Sequence, residues 1–122
     1  MFGWNKSKRT LVGPDYSGLT SLEKVKTLEE QGELVQLLLL PVEFGGSDVI
    51  NNIVYVPSFV LWEKMRIDQE IIVPLIKSGN VSQYSARPIY DGKSIIPSKL
   101  IITATEPGKF KAEIEIWGSA IN

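Results

Sequence analysis

The stretch that decides the fold class is "KLIITATEPGKFKAEIEIW", residues 99–117. Two runs, 99–105 and 109–117, alternate between apolar and polar side chains on either side of the turn-forming sequence Glu106-Pro107-Gly108. In the second run one face carries Phe110, Ala112, Ile114 and Ile116, and the other carries Lys111, Glu113 and Glu115. This alternation is typical of an antiparallel strand with one buried face. The stretch therefore predicts a C-terminal β-hairpin.

Upstream of the hairpin, the first of two helical segments is predicted over about residues 21–31. The apolar positions at helical spacing are Leu22, Val25 and Leu28. Thr20 and Glu23 stand at the spacing of a capping box, in which each side chain satisfies a backbone donor at the helix start. Gly32 is placed to end the helix, because glycine adopts the left-handed conformation of a helix terminus at little cost.

The second helical segment is predicted over about residues 59–78. The apolar positions at helical spacing are Phe59, Trp62, Met65, Ile71, Ile72, Leu75 and Ile76. Two residues predict an interruption. Asp68 can cap a new helix start, and Pro74 removes a backbone donor from what would otherwise be helix interior. Gly79 is placed to close the segment.

Three further strands are predicted. The run "ELVQLLLL", residues 33–40, is too short for a buried helix and has the apolar density of a strand covered on both faces. Residues 53–56 form a short apolar run that ends at Pro57, and residues 81–87 lead into Pro88. The order of elements predicts an α+β fold with a mostly antiparallel sheet. It comprises a single domain over 19–122, preceded by an irregular arm over 1–18.

Composition narrows the classes of function. The 122-residue chain is 43% hydrophobic and 22% charged, with a formal net charge of −1, so no global positive field draws it to nucleic acid or to an anionic membrane. It contains no histidine and no cysteine, which excludes histidine-based triads, zincin motifs and thiolate nucleophiles. No apolar run reaches the roughly 18–20 residues of a membrane helix, and no secretory signal follows the basic N-terminus. We expect a cytoplasmic protein without a bound cofactor.

The remaining polar motifs favour structure over catalysis. Gly45-Gly46 lacks the lysine of a P-loop and predicts a tight turn. Asn51 and Asn52 are expected to hydrogen-bond the backbone of their own loop. Glu113 and Glu115 share a strand face and could chelate a hard cation, but the alternation of that strand already explains them as solvent-facing.

Turn residues carry a family resemblance. Two stretches, "LLLLPVEFGGSDVINNIVYVP" and "SGNVSQYSARPIYDGKSIIPSKLIITAT", flank a helix containing Trp62, Glu63 and Glu70. This layout resembles the second half of bacterial DNA/RNA non-specific endonuclease domains found as toxin tips. The family's Gly-His pair falls on Leu37-Leu38, and Asn52 matches the family asparagine only approximately. The resemblance implies a nuclease-like scaffold without its general base, because leucine neither activates water nor binds metal.

The layout also resembles immunity or accessory proteins that are encoded beside polymorphic toxins. We therefore expect a non-enzymatic protein-binding module, with a cognate bacterial toxin as one candidate partner. Two alternatives stay open: a nuclease-like module that is inactive or histidine-independent, and a homo-oligomeric interaction domain that pairs through the edge of the hairpin. The candidate partner-binding residues are Trp4, Tyr16, Asp48, Asn52, Tyr55, Trp62 and Tyr90.

Overall fold

The structure is a computed structural model, and it describes residues 14–118. The arm predicted over 1–18, including Trp4, therefore lies mostly outside the described residues. In chain order the helices are α1 (Leu22–Glu30), α2 (Ser58–Ile67) and α3 (Val73–Lys77). The strands are β1 (Val35–Leu38), β2 (Ile53–Val56), β3 (Gln83–Tyr90), β4 (Pro97–Thr105) and β5 (Lys109–Glu115). The α+β class is confirmed.

The C-terminal hairpin is confirmed as β4 and β5, which form a three-stranded antiparallel sheet in the order β3-β4-β5. β5 ends at Glu115, two residues before the predicted end at 117. Beyond the strand, the indole Nε1 of the buried Trp117 donates to the carbonyl oxygen of Ile96 at 3.1 Å. The buried face of the sheet is the predicted one, since Ile114 is buried and Glu113 is exposed.

The strand predicted over 81–87 instead runs from Gln83 through Pro88 to Tyr90. Pro88 lies opposite Leu100. Ile116 donates to Ser98 across the β4–β5 pair, so the even-numbered residues of β4 direct their backbone groups toward β5 and the odd-numbered ones toward β3. The missing N–H of Pro88 therefore falls on the side of β3 that no other strand of residues 14–118 covers, and proline is tolerated at such an edge.

The second sheet consists of β1 and β2, paired antiparallel with Leu37 opposite Val54. A strand is present within the predicted range 33–40, at Val35–Leu38. The expectation that both of its faces are covered is wrong. Within β1, Leu37 is buried while its neighbour Gln36, which points to the opposite face, is exposed. A sheet of two strands has one face against the core, so the leucine-rich composition does not imply burial on both sides.

α1 begins one residue later than predicted. Its N-cap is Ser21, whose Oγ accepts from the N–H of Lys24, rather than Thr20. The predicted end is confirmed: Gly32 has φ of +81°, its N–H donates to Glu29, and the next N–H donates to Leu28. These two bonds are the glycine-terminated arrangement that satisfies the last free carbonyls of a helix.

The second helical segment is continuous, and its predicted interruption takes a different form. Between α2 and α3, residues Asp68–Ile72 form a π-helical turn, in which Val73 donates to Asp68 five residues earlier. Asp68 has helical dihedral angles, so the prediction that it caps a new helix is wrong. The wider turn accommodates Pro74, which has no N–H and whose ring would clash with a carbonyl in a regular α-helix.

One cluster of buried side chains connects α1, the long helical segment and both sheets. Fully buried members are Val25, Val56, Val60, Ile72, Ile96, Leu100 and Ile102. Burying each such side chain stabilises the fold by about 1.5–3 kcal/mol before the entropy of ordering is counted. Within residues 14–118, no helix has both the length and the apolar character needed to cross a membrane.

Candidate protein-interaction surface

Three of the residues predicted to bind a partner line one open groove. They are Asp48, Tyr55 and Tyr90. The groove has a volume of about 450 Å³ and is also lined by Leu22, Lys26, Ile50, Ile53, Val54 and Ile95. We refer to it as the tyrosine groove. Ile50 is 83% exposed and Leu22 is 50% exposed, which is unusual for large apolar side chains that sit beside each other on one surface.

The tyrosine groove is assembled from five parts of the fold, one of which is the loop that contains Asp48 and Ile50. Leu22 and Lys26 come from α1, Tyr55 comes from β2, and Tyr90 is the last residue of β3. Ile95 precedes β4, and its N–H donates to the carbonyl of Leu19 at 2.9 Å, which holds this loop against the chain entering α1. The groove therefore depends on the packing of both sheets and α1, although its residues are distant in sequence.

Polar groups lie at the rim of the groove. The Tyr55 hydroxyl accepts from Nε2 of Gln36 at 3.4 Å, and Nζ of Lys26 is 5.9 Å from the Tyr55 ring centroid. The Tyr90 hydroxyl makes no hydrogen bond to another residue in the described part of the chain, and partial burial raises its pKa above the ordinary value. The Tyr90 hydroxyl is thus a neutral group available to a ligand.

Asn52 holds the loop that supplies Asp48 and Ile50. Its Oδ1 accepts from the N–H of Leu40 at 2.8 Å, and its Nδ2 donates to the carbonyls of Leu40 at 2.9 Å and of Ser47 at 3.0 Å. The expectation that Asn52 bonds its own loop is confirmed. Its side-chain donors and acceptor are directed inward, while contact with a partner stays a prediction.

Replacing Asn52 with alanine is expected to lower the free energy of unfolding by about 1–2 kcal/mol, because the backbone N–H and C=O of Leu40 lose their partners. Urea denaturation of the full chain measures this. Asn51 is exposed and provides the matched control, for which Asn51→Ala is expected to change stability by no more than about 0.5 kcal/mol. Equal effects of the two substitutions would contradict the anchoring role of Asn52.

The two glycines of the loop serve different purposes. Gly45 has φ of +98°, as expected for a tight turn. Gly46 is needed for close approach, because a Cβ at this position would overlap the carbonyl oxygen of Leu40. The loop therefore passes so close to the backbone of Leu40, two residues after β1, that only glycine is permitted at position 46.

Two other predicted partner-binding residues, Tyr16 and Trp62, do not line the tyrosine groove. Tyr16 is half-buried and packs edge-on against Trp117, with ring centroids 6.0 Å apart. The burial, and secondarily the charge of Glu33, raises the pKa of its hydroxyl. Trp62 is 64% exposed and lies on α2 beside Phe59. Trp4 is outside the described residues.

A buried polar cluster lies under α2. Nζ of Lys64 donates to Asp68 Oδ2 at 2.7 Å and to the Tyr84 hydroxyl at 2.9 Å, and that hydroxyl donates to Asp68 Oδ1 at 2.8 Å. Lys64 and Asp68 are 3% and 4% exposed. Burial lowers the pKa of Lys64 while the Asp68 carboxylate opposes that shift. Burial, assisted by the Asp68 charge, raises the pKa of Tyr84.

This cluster is internally satisfied. The ammonium group is neutralised by a carboxylate and the tyrosine hydroxyl bridges the two, while Phe44 covers Tyr84 edge-on at 4.9 Å. A cavity of about 250 Å³ reaches Lys64 and Asp68 past Leu37, Leu61 and Met65. Each charge already has its counter-charge within the cluster. Because Lys64 and Asp68 belong to the helical segment and Tyr84 belongs to β3, their hydrogen bonds hold the helical segment against β3.

The sequence interpretation missed parts of both sites. Leu22 was counted among the apolar positions of α1, yet it lines the exposed tyrosine groove together with Lys26. Ile50 was not singled out, although an apolar residue between Asp48 and Asn51 in a polar loop is a usable signal. The Lys64–Asp68 pair was also missed, and its signal was the four-residue spacing of opposite charges on a helix.

Within residues 14–118, no group of three or more aspartate or glutamate side chains is placed to hold a metal ion. Glu113, which the sequence offered as a cation ligand, instead pairs with Lys99 at 3.2 Å and Lys111 at 3.4 Å. These lysines lower the pKa of Glu113. No family model, curated protein sequence or solved structure matches this chain.

Proposed function

We propose that this protein is a non-enzymatic protein-binding module that contacts its partner through the tyrosine groove. The observation that carries the proposal is the groove itself, where Leu22, Ile50 and Tyr90 are about half or more exposed beside one another. Exposed apolar surface that is rimmed by polar residues marks interaction sites, and tyrosine is enriched at the centres of protein interfaces.

The chemistry of the groove favours a protein segment as its occupant. Its apolar floor would accept one or two apolar side chains, and the Tyr55 ring offers a large contact area at low entropic cost. The rim carries one positive residue, Lys26, and one negative residue, Asp48. A partner surface with an apolar centre and charges of both signs would complement it.

The partner that we propose is a bacterial toxin encoded beside this protein, which would make the chain an immunity protein acting in the cytoplasm. The resemblance of the "FGG" loop and its flanking turns supports this identity. The position that corresponds to the family's catalytic histidine is Leu38, the last residue of β1, which is partly buried. A leucine at that position supports binding in preference to nuclease chemistry, because its side chain neither activates water nor binds metal.

The test of the proposal is to express the chain together with the toxin-like product of the adjacent gene. We expect a stable heterocomplex in size-exclusion chromatography and loss of toxin activity when the complex forms. Absence of such a neighbour, or a neighbour that neither binds nor is inhibited, would refute the toxin proposal.

A groove variant tests the surface. Ile50→Asp is expected to weaken partner binding by about 30-fold or more, because it places a charge in the apolar centre of the interface. Val42→Asp provides the matched control, since Val42 is 67% exposed and does not line the tyrosine groove. Isothermal titration calorimetry measures both affinities. Binding by the Ile50 variant that equals the wild-type affinity would exclude this surface.

A further inference from the structure

The outer edge of β5 is an open strand edge. β5 pairs with β4 on one side, and within residues 14–118 no strand covers its other side. An open groove of about 630 Å³ runs between this edge and α2, lined by Phe59, Trp62, Glu63, Arg66, Glu113, Ile114 and Glu115. Such an edge presents free N–H and C=O groups that can pair with another strand.

The backbone geometry fixes which residues of β5 are available for pairing. Ile116 donates to Ser98, and Glu106 donates to Gly108 at the other end of the hairpin. The even-numbered residues of β5 therefore bond β4, and the odd-numbered residues direct their backbone groups to the open edge. These outward residues are Lys109, Lys111, Glu113 and Glu115.

Their charges are self-complementary in one antiparallel register. If two copies of β5 pair about a two-fold axis at Ala112, Lys109 lies opposite Glu115 and Lys111 lies opposite Glu113. Two neighbouring registers also pair outward residues with outward residues. One places Lys111 opposite Lys111 of the second copy, and the other places Glu113 opposite Glu113. Opposite charges directly across a strand pair stabilise it and like charges destabilise it. The charge pattern therefore selects the register centred on Ala112.

The inner face of the same register is apolar. Phe110, which is half-buried, would lie opposite Ile114 of the second copy, and Ala112 would meet Ala112. Phe59 and Trp62 are 50% and 64% exposed, and they stand on α2 beside the groove that the second strand would enter. Apolar area from both the strand and the helix would thus be removed from water on pairing.

We propose that a second copy of this chain occupies the β5 edge, so that the two three-stranded sheets join into one sheet across a two-fold axis at Ala112. Lysines on an edge strand ordinarily prevent such pairing. Here the two lysines precede two glutamates, so an antiparallel second copy meets opposite charges at every outward position. No residue of β5 lines the tyrosine groove. Self-association through β5 and partner binding through the groove are therefore independent of each other.

The test uses two charge-reversed variants of the full chain. Lys109→Glu/Lys111→Glu and Glu113→Lys/Glu115→Lys each place like charges opposite one another in the dimer, and each is expected to weaken self-association by about 100-fold. An equimolar mixture of the two restores every opposite-charge pair and is expected to dimerise. Sedimentation equilibrium measures these states, with the wild type expected at twice the 13.6 kDa chain mass.

Lys77→Glu/Lys93→Glu is the matched control, because both lysines are exposed and neither lies on β5. This variant is expected to dimerise as the wild type does, and circular dichroism checks that all variants fold. Amide exchange adds a local readout: the amides of Lys111 and Glu113 should become more protected as protein concentration rises. A wild-type chain that stays monomeric would overturn the proposal, as would variants that still dimerise singly or fail to associate when mixed.

Discussion

Asp68→Ala is expected to lower the free energy of unfolding by about 3–5 kcal/mol, the range for removing one partner of a buried ion pair. The substitution leaves the Lys64 ammonium, which is 3% exposed, without its counter-charge in the protein interior. Urea denaturation at about pH 7 measures the change. The loss arises from an uncompensated buried charge, so it does not report the net contribution of the pair to stability.

Two variants define the control for this result. Glu63→Ala removes an exposed ion pair with Arg66 on the same helix and is expected to cost no more than about 1 kcal/mol. Lys64→Met/Asp68→Leu/Tyr84→Phe replaces the whole cluster by apolar groups and is expected to recover most of the lost stability. If Asp68→Ala costs no more than Glu63→Ala, the cluster does not hold a buried charge.

The Asp68→Ala variant also has an expected pH dependence. Burial holds the pKa of Lys64 below its ordinary value of 10.5, and the Asp68 carboxylate opposes this shift. Without Asp68 the pKa of Lys64 falls further. The unfolded chain then binds a proton that the folded chain does not, so stability rises with pH from the folded pKa to the unfolded one. The deficit relative to wild type should therefore be smaller at about pH 9.5 than at about pH 7.

Gly46→Ala is expected to lower the free energy of unfolding by about 2–3 kcal/mol. The added methyl group would overlap the carbonyl oxygen of Leu40, a backbone atom that cannot move without breaking the bonds that Asn52 makes to Leu40. Urea denaturation measures the loss, and amide exchange at Leu40 locates it. Because Asp48 and Ile50 follow in the same loop, the variant is also expected to bind the partner more weakly.

Gly18→Ala is the matched control for position 46. An added Cβ at Gly18 meets no atom within 4 Å, and the residue lies outside the left-handed region, so the substitution is expected to change stability by no more than about 0.5 kcal/mol. Gly45→Ala is expected to fall between the two, at about 1 kcal/mol, since its cost is the positive φ alone. A Gly46 variant as stable as the Gly18 variant would contradict the close approach to Leu40.

Predictions from local sequence patterns were confirmed where a single local signal was present and nothing competed with it. The alternation of residues 109–115 determined both the strand and its buried face, and Gly32 determined the end of α1. Predictions failed where two local signals competed with tertiary contacts. Asp68 has the chemistry of a helix cap, yet it pairs with a lysine one turn earlier and a tyrosine 16 residues later, so the helix continues through it.

The candidate site was less predictable than the fold. Asp48, Tyr55 and Tyr90 were identified as separate residues, but their meeting in one groove depends on how α1 and both sheets pack. Trp62 was grouped with them and lies on another surface, because residues that share a chemical class need not share a face.

The sequence by itself determined the α+β class, the hairpin, the two helical segments and the need for a glycine turn near residue 45. These follow from local physics: side-chain periodicity, capping and backbone conformational freedom act over a few residues. Only the tertiary structure decided which apolar residues stay exposed, that Lys64 is buried with its counter-charge, and that no strand of residues 14–118 covers one edge of β5. Those properties depend on long-range packing, which no local pattern encodes.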